Sequence, residues 1–161
     1  MGLPLNLVWK GRQGLHMDQF EQFLEDEMAH VQGAYPEAIV IHVGSNDLGL
    51  MTKSDLLSWC RRIILSTRNL LPWTVIMWSA VLPRVAYPQA NSQAAIDKVR
   101  KEMNRFVRLL FRGPNACVFI AHPYIRWDSK VMFREDGVHL SDTGCSHLLD
   151  DMYWALRDFA F

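Results

Sequence analysis

Four short stretches of the chain are almost continuously apolar: Leu5–Trp9, Ala38–Val43, Thr74–Val81 and Ala116–Ala121. Runs of this length without alternation predict strands buried on both faces, as in a parallel sheet. Between them the spacing turns helical. Phe20, Phe23, Leu24, Met28 and Val31 predict a helix from Asp18 to about Gln32, with Asp18 as cap and Gly33 as stop. Leu56, Leu57, Trp59, Cys60, Ile63, Ile64 and Leu65 crowd the inward face of a second helix, capped by Ser54 and ended by Pro72. Ile96, Val99, Met103, Phe106, Val107 and Leu110 mark a third, stopped by Gly113-Pro114, and Ser141 caps a last helix from Asp142 to about Phe159.

Strict alternation of strand and helix predicts one α/β domain with helices on both faces of a parallel sheet. Ligands in such sheets sit beyond the carboxyl ends of the strands. That directs attention to Gly44-Ser45-Asn46-Asp47, where the second apolar run stops, and to the loops Arg84–Asn91 and His122–Arg134, the candidate walls of a pocket.

Composition narrows the class. The 161 residues are 50% hydrophobic, and Lys plus Arg balance Asp plus Glu at 17 each, so no global field draws the chain to nucleic acid or an anionic membrane. The cations Lys98, Arg100, Lys101, Arg105, Arg108 and Arg112 read as a solvated helix face, and a nucleic-acid role would have to rest on them. Cys60, Cys117 and Cys145 have no metal-like spacing, and their odd number points to a reducing compartment. Met1–Asn6 lacks the pattern of a signal peptide, Gly2 lacks a myristoylation context, and no run approaches the length of a membrane span. A soluble, cytoplasmic protein is expected.

Three polar knots carry candidate chemistry. In Gly44-Ser45-Asn46-Asp47, the Asn46 carboxamide could face a developing oxyanion, and an ordinary turn would use the same residue types. In Asp136-Gly137-Val138-His139, a three-residue spacing across a glycine turn can bring the carboxylate to the imidazole, or simply cap the next helix. In Lys10-Gly11-Arg12-Gln13-Gly14, a glycine N–H could donate to an anion, or the segment could be a plain strand-to-helix turn. His42, His147 and the methionines and tryptophans read as packing.

Together, and in this order, the knots resemble the SGNH or GDSL hydrolase superfamily. Gly14 resembles its oxyanion glycine, Gly44-Ser45-Asn46-Asp47 its Gly-x-Asn-Asp block, and Asp136-Gly137-Val138-His139 its Asp-x-x-His block; Leu82-Pro83-Arg84 and Asn104 resemble accessory positions. A weaker likeness is to the SGNH-like domains of vertebrate retrotransposon proteins. The resemblance implies a flavodoxin-like three-layer α/β/α sandwich and hydrolysis of small-molecule or lipid esters by a serine, without metal or cofactor. In that scheme His139 is the base, Asp136 orients it, and Asn46 with Gly14 stabilises the oxyanion.

One block has no counterpart. Residues 1–44 contain no serine, threonine or cysteine, whereas the family's nucleophile ends its first strand, ahead of the glycine block. Only one helix separates Leu5–Trp9 from Gly44, so that run fits the family's second strand. The expectation is a single domain over residues 1–161 from which the first, central strand is missing by amino-terminal truncation, leaving an esterase scaffold impaired for lack of a nucleophile. The alternative is a non-catalytic binding or assembly module on the same fold, which an open strand edge could serve by self-association.

Overall fold

The computed structural model describes residues 6–31, 33, 35–88, 90–112 and 117–160. Three strands, β1 (Ala38–Ile41), β2 (Val75–Ser79) and β3 (Cys117–Ile120), form a parallel sheet in the order β1-β2-β3. Its helices are α1 (Phe20–Ala29), α2 (Lys53–Leu70), α3 (Gln93–Leu110) and α4 (Asp142–Ala160), with single 3-10 turns at Met17–Gln19 and Lys130–Met132.

Side-chain alternation along the strands divides the core into two faces. Ile39, Ile41, Ile76, Trp78 and Phe119 pack with Phe20 and Leu24 of α1, Leu56, Cys60 and Ile63 of α2, and Met103 and Val107 of α3. Ala38, Val40, Val75, Met77, Val118 and Ile120 face Leu148, Met152, Ala155 and Leu156 of α4. The result is the expected three-layer sandwich, in which the central β2 is buried along its whole length while β1 and β3 are half-buried.

Several expectations need correction. Leu5 lies outside the described residues, and residues 6–9 form no strand; Leu7, Val8 and Trp9 are exposed. An apolar run becomes a strand only where it finds a ladder partner, and among the described residues β1 pairs with β2 alone. Asp18 does not cap the first helix but lies inside the 3-10 turn. The second helix is capped by Thr52, whose Oγ1 accepts the Asp55 N–H at 3.2 Å, because Ser54 already lies within the helix. Leu65 points outward, and Trp9, Trp73, Trp127 and Trp154 are exposed, so most tryptophans do not build the core. Gln32 and the Gly113-Pro114 stop lie outside the described residues, as does Ala116. Ser141 caps α4 as expected, its Oγ accepting the Gly144 N–H at 3.2 Å.

Candidate active site

The chain leaves β1 through Gly44, whose φ of 108° lies in the region that glycine alone adopts readily. An added Cβ there would also come within 2.6 Å of the Met103 methyl. The turn that follows places two neighbouring side chains differently. Asp47 is fully buried; its carboxylate accepts the Met17 N–H at 3.1 Å and pairs with His16 Nδ1 at 2.9 Å. Burial pushes its pKa up, and the His16 and Met17 contacts work against that rise. Asn46 is half-buried and donates from Nδ2 to the Leu15 carbonyl at 3.1 Å. The Gly14 loop and the Gly44–Asp47 loop are thereby held together. Since a carboxamide nitrogen carries two hydrogens, the second Asn46 N–H remains for another acceptor.

Asp136 and His139 meet in a separate turn. His139 Nδ1 lies 2.7 Å from Asp136 Oδ2, while Asp136 Oδ1 accepts the backbone N–H groups of Val138 at 2.8 Å and His139 at 2.9 Å. These bonds, the His139 contact foremost, hold the Asp136 carboxyl well below the usual carboxylate range. An ionised Asp136 only accepts, so His139 carries its proton on Nδ1. Its Nε2, which has no hydrogen-bond partner among the described residues, is left on a side chain 69% exposed. The Gly137 carbonyl accepts from Val85 at 2.8 Å and from Ala86 at 3.1 Å, tying this turn to the loop after β2. In that loop Arg84 has Asp136 as a charge neighbour. Asn104 is a brace: its carboxamide takes the Val81 N–H and donates to the Val81 carbonyl, both at 2.9 Å.

A groove of about 480 Å³ lies beyond the ends of β2 and β3. His122, Pro123, Ile125, Arg126 and Trp127 contribute to it and the described residues of 84–91 do not, so among the described residues only one of the two expected loops forms a wall. Asn46, Asp136 and His139 do not line it.

Sequence reasoning missed one polar cluster. His42, a packing residue by its sequence context, instead places Nδ1 2.8 Å from Ser79 Oγ, which lies 2.7 Å from His122 Nε2, and His122 Nδ1 is 2.9 Å from Asp151 Oδ2. Ser79 and His122 are buried. The signal was a shared phase: His42 and Ser79 each break an apolar run, and β1 pairs with β2 from Ala38↔Val75 to Ile41↔Trp78, so one further step sets them side by side. Among the described residues no group of acidic, histidine or cysteine side chains is placed to hold a metal, and no helix is long and apolar enough to cross a membrane.

No protein-family model and no curated protein matches the chain. Solved structures do. A Streptococcus pneumonia protein described as a platelet activating factor superposes with a TM-score of 0.71 at 22% identity, over 96% of this chain and 72% of that one. A GDSL-like lipase from Bacteroides thetaiotaomicron gives 0.68 at 14% identity, over 90% and 72%. The fold is that of the SGNH/GDSL hydrolases. An acetyl esterase variant with acetate ion superposes at 0.70 and 17% identity, over 94% of this chain and 70% of that one. The chain therefore shares its fold with these solved structures.

Proposed function

We propose that the chain is an SGNH-type ester-hydrolase domain that carries the base and oxyanion halves of the site. Support comes chiefly from the Asp136–His139 pair, 2.7 Å apart with Nε2 turned to solvent. In this reading Asp136 fixes the His139 tautomer, and Nε2 takes the proton of an attacking serine hydroxyl. The free Asn46 N–H and the Gly14 backbone receive the oxyanion. The substrates are small-molecule or lipid carboxylic esters, acetyl esters among them, and the scheme uses no metal or cofactor.

In this reading the nucleophile is not one of the chain's own hydroxyls: Ser79, although 2.7 Å from His122 Nε2, is fully buried and held between His42 and His122. Residues 1–44 have none of serine, threonine or cysteine. Ser141 Oγ is engaged with the Val131 carbonyl and the Gly144 N–H, and Ser45 belongs to the loop that presents Asn46. On these residues alone hydrolysis is impaired. Short acyl esters assayed with this chain, and with a form extended at its amino terminus by a strand ending in Gly-x-Ser, test the reading. Turnover in the extended form that is lost in His139→Ala supports it; silence in both forms overturns it.

A second reading rests on β1, a half-buried run of Ala38, Ile39, Val40 and Ile41 that pairs on one side only among the described residues. Unguarded apolar edges accept strands, so a binding or assembly module would self-associate here. Sedimentation that shows a monomer at all concentrations, with no effect of Val40→Lys, would remove this alternative.

A further inference from the structure

The His42–Ser79–His122–Asp151 chain crosses the carboxyl ends of all three strands and ends on α4. His42 stands two residues before Gly44, and α4 begins three residues after His139. The chain thus joins the element that enters the Asn46 loop to the helix that leaves the Asp136–His139 turn. Resting on the ester-hydrolase reading, we infer that these four residues are positioning residues, a strap that fixes the Asn46 loop relative to the His139 turn.

Donor counting gives the strap one order when both imidazoles are neutral. An ionised Asp151 only accepts, so His122 donates from Nδ1 and its Nε2 must accept the Ser79 hydroxyl. Ser79 Oγ then accepts from His42 Nδ1. His42 is solvent-exposed while Ser79 and His122 are buried, so a proton arrives at His42 Nε2. Each hydrogen then moves one place: His42 Nδ1 gives its proton to Ser79, and Ser79 gives its own to His122 Nε2. The cation finishes on His122 beside Asp151, and all three contacts survive with their directions reversed between His42, Ser79 and His122. The same geometry serves both states.

Other charges face His122 across the groove it borders: Arg100, Lys101, Arg105 and Arg108 from α3, and Arg126 from its own loop. On the α4 side stands Asp151, with His147 packed against Tyr124 nearby. Burial disfavours a positive charge on His122 despite the Asp151 contact, so the neutral order holds near neutral pH.

Histidine tautomers read by long-range proton–nitrogen spectra, together with amide exchange, test the strap in the chain as it stands. Wild type is expected to carry Nδ1–H on both His42 and His122. Asp151→Ala, on a partly exposed helical position, and Ser79→Ala are each expected to speed exchange at Ser45 and Asn46 about tenfold, while α2 keeps its protection. Asp151→Ala remains decisive if Ser79→Ala fails to fold. Wild-type exchange at Ser45 and Asn46 in Asp151→Ala, or Nε2–H on His122 in the wild type, overturns the strap. Failure of ester turnover in the extended form would instead count against the hydrolase reading and leave these spectra unchanged.

Discussion

The Asp47 carboxylate accepts the backbone N–H of Met17 across 30 positions of sequence, at 3.1 Å. Both residues are fully buried. The aspartate of the Gly-Ser-Asn-Asp turn is therefore a clamp that seats the start of the first helical segment against the end of β1, and Asn46 beside it holds the same segment through Leu15.

Removing that clamp leaves the Met17 N–H and the His16 ring without their buried partner. Asp47→Ala is expected to cost about 2–4 kcal/mol, the range for orphaning a buried donor and a charged contact. Asp47→Asn keeps an acceptor for Met17 and should cost less. Urea unfolding midpoints of the two variants measure the difference.

Gly44→Ala tests the other requirement of the same turn. It combines a φ of 108° with a Cβ placed 2.6 Å from the Met103 methyl. Backbone strain and overpacking together are expected to destabilise by about 2–4 kcal/mol. Met103→Ala in the same chain would relieve the contact but not the strain, so thermal melts of the double variant should recover only part of the loss beyond the cost of Met103→Ala itself.

Stability should fall on mild acidification. Burial pushes the pKa of His122 down despite the Asp151 contact. A depressed histidine binds fewer protons folded than unfolded. Its contribution is complete above the ordinary histidine value of 6.5 and declines as pH falls below it. Urea midpoints between pH 7.5 and 4.5 should decline over that window, and His122→Gln should flatten part of the slope.

In an extended form that turns over esters, Asp136→Asn should leave His139 in place but unsettle its tautomer. The expected loss in kcat is about 10³- to 10⁴-fold, with KM little changed. A loss confined to KM would assign Asp136 to substrate binding.

Much of the architecture was written in local pattern. The unbroken apolar runs at Ala38 and Thr74 announced strands covered on both faces, and the 3.6-residue spacing around Leu56 to Ile64 announced α2, because burial on two layers imposes those periods whatever else the chain does. The Asp136–His139 contact was legible for the same reason: its partners are three residues apart, and one glycine turn closes the distance.

What sequence alone could not decide depended on partners far along the chain. Leu5–Trp9 reads as a strand, yet a strand exists only through a neighbour's hydrogen bonds, and among the described residues 6–9 have none. Asp47 looked like a local turn residue until the fold brought Met17 to it. His42 and Ser79, single polar breaks in apolar runs, acquired roles only when the parallel register set them side by side and the sheet carried His122 and α4's Asp151 to the same edge. Sequence determines such periodic, short-range features because each is satisfied within a few residues. Buried polar contacts between distant residues are decided by tertiary structure, since only the packed sheet makes leaving them unpaired costly.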